Sequence, residues 1–436
     1  MNNRQIKPLS SVCAFINRGI TPQYVEQGGV LVLNQKCIRD QRVSLTEARR
    51  TDDLGRPIPR DRFLEAFDIL VNSTGVGTLG RVAQIRELPE RMTADSHVTI
   101  VRADPAKVFP PYLGFVLRLY QPRIESLAEG STGQTELSRA RLGELEIPLP
   151  GESEQRSIAR ILGALDDKIS VNRRMNRTLE AIAWTIFVSW FVEFAPVRAK
   201  ADGRKLALTG RIANLFPDRL EDSELGAIPA GWRVGAFSSA VKIVGGGTPK
   251  TVVPDYWGGD IPWFSVVDTP PEGEIFVVDT EKHITQGGLE NSSARILPEG
   301  TSIISARGTV GQVSLVGTAM AMNQSCYGLI GKDDARGFFT YFTARSLVST
   351  LKQRSHGSVF DTVTRETFDS LLMSIPPAAV VETFDRIVAP FLDRVLVNVH
   401  ESRSLTALRD SLLPKLISGE LRAPSSTDSS RLRDES

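Results

Sequence analysis

The stretch EQRSIARILGALDDKISVNRRMNRTLEAIAWTIFVSWF, Glu154–Phe191, decides how the rest of the chain is read. Its apolar or special positions fall at Ile158, Leu162, Leu165, Ile169, Asn172, Asn176, Leu179, Ala183, Ile186 and Trp190. The steps alternate four and three without a gap, the heptad seam of a helix that packs along another helix. A shift of 226 residues gives Phe384, Val388, Phe391, Val395, Asn398, Ser402, Leu405, Arg409, Leu412 and Leu416, with the same steps. The polar interruption recurs too: Asn172 is matched by Asn398 and Asn176 by Ser402. Polar residues on an apolar seam cost stability but fix register. The pattern predicts two long helices, about 152–191 and 379–420, paired as an antiparallel coiled coil. At 1.5 Å per residue each runs roughly 60 Å. Two unrelated surface helices, each packed on its own domain, are the alternative, and the shared polar step argues against it. Pro390 and Pro414 interrupt the second pattern, so a kink or a late start is expected at Pro390 and a stop at Gly419 in SGEL, Ser418–Leu421.

Outward from the seam, the whole chain repeats itself. GTLGRV (Gly77–Val82) returns as GTVGQV (Gly308–Val313), and GSTGQT (Gly130–Thr135) is answered by GSVFDT (Gly357–Thr362). SSVCAFINRGITP near the start resembles SSAVKIVGGGTP, Ser238–Pro249. A period of about 230 residues is too long for a solenoid and reads as a duplicated domain with a duplicated connector. Short β-rich runs (VLVLN, FDILVNS, RVAQI and HVTIVRA, then IPWFSV, EIFVV, TSIISA and QVSLVG) lie between turn residues. PPYLGFVLRLYQPRIESLAEG and GFFTYFTARSLVSTLKQRSHG read as helical. The predicted class is α+β: two similar mixed α/β units separated by two long paired helices. The boundaries are a first unit 1–151, a central helix 152–192, a linker 193–220, a second unit 221–377, a C-terminal helix 378–422 and a disordered tail 423–436. The linker is rich in Pro, Gly and charge. It reads as a solvated connector whose basic front half (Arg198, Lys200, Arg204, Lys205) is an alternative phosphate neighbour.

NSTGVGTLGRV, Asn72–Val82, carries the G-x-G-x-x-G spacing of a dinucleotide loop. That fingerprint needs a helix after the glycines. Here a β-branched run follows and meets Pro89, and the repeat has Ala306–Arg307 where the opening G-x should stand. What both copies share is G-T-[LV]-G-x-V between two strands, a tight hairpin with positions of positive φ. The first glycine, Gly75, reads as incidental.

Other chemistry is missing from the sequence. There is no Walker loop, G-x-S-x-G or H-E-x-x-H. Cys13, Cys37 and Cys326 are odd in number and widely spaced, which argues against a disulfide framework or zinc site and for a reducing cytoplasm. The histidines are scattered, and His400 reads as a surface residue. Asp52/Asp53 and Asp333/Asp334 read as solvated loop acids, and Trp257 and Trp263 as core. No apolar h-region follows Met1, and LEAIAWTIFVSWFVEF is shorter than a membrane span. A net charge of +1 gives no global nucleic-acid signature, although a basic face can hide in a balanced total. Two similar modules on a helical pair make a reader of two sites at fixed spacing, and duplex DNA is the commonest such partner.

The connector, the segment FAPVRAKADGR…LFPDRLEDSELGAIPAGW and the end LRDSLLPKLISGEL resemble the specificity subunit (HsdS) of Type I restriction–modification enzymes, over nearly the whole chain. LNQKCIRDQRVSLTEARR and GGGTPKTVVPDYWGGDIPW resemble the openings of its target recognition domains. The resemblance implies that each unit is a target recognition domain reading half of a split sequence in double-stranded DNA, with the helix pair as ruler. It implies docking of two methyltransferase (modification) subunits, and motor endonuclease (restriction) subunits completing the complex. S-adenosylmethionine, ATP and Mg²⁺ then belong to the partners, and this chain holds no cofactor, no metal and no active site. It is expected in the cytoplasm, off the membrane. The alternatives are a scaffold with two ligand-binding β-rich modules on a coiled coil that never touches DNA, and a DNA-binding subunit of a modification-only system that lacks the nuclease.

Turn-borne polar residues at corresponding places are the expected DNA contacts: Gln35, Lys36, Arg39, Asn72, Thr74, Arg81, Ser131 and Gln134 in the first unit. In the second they are Lys250, Ser265, Arg307, Gln312, Gln324, Ser358 and Asp361. Arg, Asn and Gln suit base edges, and Lys suits phosphate. Asn172, Asn176, Asn398 and Ser402 are expected to pair the helices. The first unit is neutral-to-basic and the second acidic, so the second must concentrate its positive charge locally or lean on its partners for phosphate contacts.

Overall fold

The computed structural model describes residues 4–129, 135–204, 208, 210–271, 274–332, 334, 336–354 and 362–423. Two compact units result. One carries the residues up to Asp167 together with those from Leu405 on, and the other carries Lys168–Ser404. Both divisions fall inside long helices, so each helix contributes to both units.

In the first unit, Gln5–Pro8 pairs antiparallel with Glu146–Leu149, closing the domain at the foot of the first long helix. The main sheet is antiparallel, in the order Cys13–Arg18, Val98–Ala103, Ile69–Asn72, Val82–Gln84. Its side chains alternate as a period of two requires. Ile69, Val71, Val82 and Val101 pack against the helix Pro110–Leu119 and against Ile158, Leu162, Leu413 and Leu416 of the long helices. Leu70, Ala83, Val98 and Ile100 face the other way, onto Leu33, Ile38 and Met92. A smaller mixed sheet, Met92–Ala94, Val30–Leu33, Arg49–Thr51, Tyr24–Val25, supplies part of that second layer.

The second unit follows the same path. Arg233–Ala236 pairs with Leu372–Ile375, and the main sheet runs Val241–Gly245, Cys326–Gly331, Ser302–Ser305, Val313–Val316, Phe276–Val277. The first four strands match those of the first unit in order and direction. The long-helix residues under this domain are Phe187, Trp190, Phe384 and Val388. Trp263 is buried, with its indole N–H donated to the Gly247 carbonyl at 2.9 Å, and half-buried Trp257 meets it edge-on.

The long helices span Glu152–Phe187, extended by a π-turn over Val188–Val192, and Ala378–Ser418. Every seam position among the ten on each helix is buried or half-buried. The kink expected at Pro390 is not a break, and neither is Pro414: the second helix is continuous through both. Pro390 and Arg386, whose carbonyl loses its N–H partner, are exposed, so water can take up that carbonyl. Gly419, at φ +82°, ends the helix as expected, donating its N–H to the Lys415 carbonyl.

The pairing is antiparallel. Asn172 Nδ2 donates to Glu401 Oε2 at 2.9 Å and to Ser402 Oγ at 3.2 Å, and Asn398 Nδ2 donates to Asn176 Oδ1 at 2.8 Å. Because Asn172 corresponds to Asn398 and Ser402 to Asn176, these are one contact made twice across a local two-fold. Each amide leaves its own Oδ1 buried without a partner, the cost of a register-fixing polar layer. The Asn172 amide, with Lys168 beside it, holds the Glu401 carboxyl below its ordinary range.

Two expectations are corrected. The described residues of 193–220 are not a solvated linker: Phe194, Val197 and Phe216 are buried with Trp190 and Trp232 in the second unit's core, while Lys205 lies outside the described residues. Lys200 donates to the Phe216 carbonyl at 2.6 Å, so its ammonium is spent on the fold. Nor is Asp334 a solvated acid. It is buried, accepts N–H groups from Gly337 and Thr340 at the start of the helix Phe338–Arg354, and faces buried Asp385 of the second long helix. Burial first, and the Asp334 carboxylate second, push the Asp385 carboxyl up to about 9. A carboxyl raised in the folded state stabilises fully below its unfolded value and loses that contribution as pH rises through the folded one. Stability of this unit is therefore expected to fall between about pH 4 and pH 9. Asp385→Asn should flatten that fall, raising the thermal midpoint by about 2–6 °C at pH 8 and leaving it unchanged near pH 4, by calorimetry across pH. An unchanged pH profile would contradict a raised Asp385 carboxyl.

Candidate nucleic-acid interface

In the first unit three segments meet at one end of the main sheet. They are the exit of Cys13–Arg18, the turn Asp95–His97 and the loop joining Ile69–Asn72 to Val82–Gln84. The Ile20 N–H bonds the Ala94 carbonyl at 2.8 Å, and the Ser73 N–H bonds the His97 carbonyl at 2.8 Å. The second unit builds the same junction, with Gly247 N–H on the Met322 carbonyl at 2.9 Å and Ala306 N–H on the Ser325 carbonyl at 2.8 Å. Even the turns agree. The His97 N–H bonds Asp95 Oδ1 at 2.9 Å, and the Ser325 N–H bonds Asn323 Oδ1 at 3.0 Å. Burial raises the Asp95 carboxyl above its ordinary range, against the pull of that His97 N–H.

The loops confirm a hairpin rather than a phosphate cradle, since a strand follows Gly80 where a dinucleotide site needs a helix. Gly77 and Gly80 have φ of +72° and +81°, and Gly308 and Gly311 of +79° and +77°, so the shared G-T-x-G is a left-handed turn requirement. Gly75 is not incidental after all. Its φ is +103°, and a Cβ there would meet Gln35 Oε1 and Thr78 Oγ1 at 2.3 Å each.

Each turn is held from below by a buried polar post. Asn72, wholly buried, donates Nδ2 to the Thr78 carbonyl at 3.1 Å and to the Gln35 carbonyl at 3.0 Å. Ser305, equally buried, donates its hydroxyl to the carbonyl of Thr309, the counterpart of Thr78, and accepts the Gln312 N–H at 2.9 Å.

These contacts sort the expected DNA-facing residues. Asn72 is a post and presents nothing outward. Arg81 is half-buried, its guanidinium folded back on the Gly77 carbonyl at 2.9 Å. Ser265 caps a short turn with Asp268. Thr74 is half-buried, its hydroxyl 2.8 Å from His97 Nδ1, and Gln35 braces the loop. Lys36, Arg39, Lys250, Arg307, Gln312 and Gln324 are exposed. Arg39 sits on a separate hairpin, Ile38–Arg39 with Arg42–Val43, beside Asp40. Gln324 hydrogen-bonds Thr248 across the junction. Ser131, Gln134, Ser358 and Asp361 lie outside the described residues, as do residues 424–436 of the expected tail. Residue-type reasoning missed Ser305, His97 and the fully exposed Val76. Aligning GVGT with ARGT would have drawn attention to Val76.

Among the described residues no cluster of His, Cys, Asp or Glu is arranged to hold a metal ion, and no single helix is long and apolar enough to cross a membrane.

Known proteins resemble this chain in sequence and fold. The family model for the Type I restriction modification DNA specificity domain matches residues 64–181 and 229–400. The Type I restriction enzyme HindI specificity subunit of Haemophilus influenzae is 26% identical over 438 residues, covering 90% of this chain and 94% of that protein. The MjaIX specificity subunit of Methanocaldococcus jannaschii is 29% identical over 177 residues, 38% of this chain and 41% of that protein. The crystal structure of the Type-I restriction-modification S subunit from M. genitalium superposes with a TM-score of 0.54 at 17% identity, covering 96% of this chain and 97% of that one.

Proposed function

Because the chain belongs to the Type I restriction–modification DNA specificity family, a family of non-catalytic recognition subunits, we propose that each of its two target recognition domains reads one half of a split sequence in double-stranded DNA. One observation carries this reading: the same three-segment loop junction is built twice, on the same sheet end, with different exposed side chains. Shared backbone with divergent tips is what two half-sites of different sequence require. The spacer is set by the long helices, both continuous through the division between the units.

The partners follow from the helix surfaces. Val171 and Ile182 are exposed apolar residues on the first long helix. Their counterparts 226 positions on, Val397 and Leu408, are exposed apolar residues on the second. An apolar surface repeated by a two-fold suits two copies of one partner. Two methyltransferase subunits dock there, and motor endonuclease subunits complete the complex. S-adenosylmethionine, ATP and Mg²⁺ act in those partners, in the cytoplasm where the DNA is. A ligand-binding scaffold without DNA is not favoured by the family match.

The test is to co-produce the chain with a Type I methyltransferase subunit that assembles with it and map N6-methyladenine across the host genome. A methylated sequence of two short blocks around an unspecified spacer is expected. A continuous sequence, or no sequence-specific methylation, would contradict the proposal.

A further inference from the structure

We infer that the residue just before the turn glycine of each hairpin, Val76 in the first domain and Arg307 in the second, is a base-reading residue of its half-site, Arg307 for guanine and Val76 for the methyl group of thymine. This rests on the bipartite DNA reading above and deepens it.

The equivalence of the two positions comes from the backbone. Asn72 and Arg81 close the first loop, with Gly80 N–H on the Asn72 carbonyl at 2.8 Å. Ser305 and Gln312 close the second, with Gly311 N–H on the Ser305 carbonyl at 2.9 Å. Counting back from those glycines, Thr78 matches Thr309, Gly77 matches Gly308 and Val76 matches Arg307. The first loop is longer by two residues, all before this point. So Arg81 is not the partner of Arg307: it matches Gln312 and is spent on its own turn.

Both tips are outward and held. Val76 is 88% exposed, and Arg307 is exposed with no hydrogen bond or ion pair to any described residue. The glycine that follows each would have open space where a Cβ stood, so the outer face of the turn is clear. Beneath it, the posts Asn72 and Ser305 fix the threonine carbonyl, and in the first domain Thr74–His97 and Thr78–Gln35 add braces. A β-branched apolar side chain at nearly full exposure on so pinned a loop gains nothing for the fold. An apolar group that meets a thymine methyl, and a guanidinium fork that meets guanine O6 and N7, are the two chemistries these tips offer to a major groove.

Arg307→Lys separates base reading from simple charge, because the ammonium keeps the phosphate attraction but replaces the planar fork aimed at O6 and N7 with a flexible point charge that discriminates guanine less well. The methylation map of the Arg307→Lys variant should lose about tenfold to a hundredfold discrimination at one G·C pair of one half-site. Val76→Ser should relax one A·T pair of the other half-site, and each variant should leave the opposite half untouched. If the parent chain yields a split sequence, and Arg307→Lys keeps it while Arg307→Ala lowers occupancy without relaxing any position, Arg307 is a phosphate contact and the inference fails while the bipartite reading stands. The same holds if Val76→Ser leaves every position unchanged. If the parent itself yields no split sequence, the reading beneath the inference fails and takes it down.

Discussion

Asp166→Ala is expected to destabilise the first unit by about 3–5 kcal/mol. Asp166 is buried and ion-paired to three guanidinium groups: Arg409 at 2.8 Å, Arg118 at 3.0 Å and Arg86 at 3.1 Å. Arg409 and Arg118 are themselves nearly buried. Burial pulls the Arg118 guanidinium down from its ordinary range, and the nearby carboxylate of Asp166 opposes that pull. Without the carboxylate, three guanidinium groups face one another with only Asp410 on Arg409 and Asp167 on Arg86 left to offset them, and the nearly buried Arg118 loses its carboxylate. The surroundings make this cluster structural. Arg118 also reaches Gln41, in left-handed backbone at the tip of the hairpin that carries Arg39, so one acid ties that hairpin, the helix Pro110–Leu119 and both long helices together. At the positions 226 residues away, Leu392 and Ala183 of the second unit are buried and apolar, so the Asp166–Arg409 pair is not repeated there. Neighbouring Asp167 touches only the half-exposed Arg86 and is mostly solvated, so Asp167→Ala should change stability by less than about 1 kcal/mol. Urea unfolding followed by a probe in the first unit compares the two. Equal effects would contradict the hub.

What the sequence made legible is what obeys a period. The seam is read from steps of four and three because a helix repeats its contacts at that spacing, and the main-sheet strands from alternation around Ile69–Asn72 and Ser302–Ser305. The aromatic residues of 193–220 have no period. Phe194 and Phe216 therefore looked like punctuation in a polar linker although they are core. The small strands Tyr24–Val25 and Arg49–Thr51 are too short to show alternation. At the interface the difficulty was chemical. An asparagine or arginine in a Gly-rich loop has the same local sequence whether it points outward or braces the turn. Only the three-dimensional count of hydrogen bonds separates Asn72 and Arg81 from Arg307. Asp334 was misread for a related reason: its partner Asp385 lies on another element, where no local pattern reaches.

The second large effect is on function. Replacing residues 1–151 with the corresponding domain of another specificity subunit should rewrite one half of the methylated sequence completely and leave the other half and the spacer as they were. The expectation follows from construction. The first domain closes on itself through the pairing of Gln5–Pro8 with Glu146–Leu149, and its reading junction uses only its own segments. The second junction is likewise built wholly within its own unit, between Gly247, Asn323–Ser325 and the Ser305–Gln312 loop. The helix register is set by Asn172, Asn176, Asn398 and Ser402, none of which is exchanged. Arg4, which anchors the domain to the Leu416 carbonyl and Glu154, and Arg86 and Arg118, which pair with Asp166, should be retained in the graft so that docking is preserved.

Genome-wide N6-methyladenine mapping of this exchange, beside the parent chain with the same methyltransferase, tests the central claim most directly. The account predicts two maps that share one half-site and the spacer length and differ throughout the other half-site. Maps that differ in both halves, or that do not differ at all, would contradict the assignment of one domain to each half of the target.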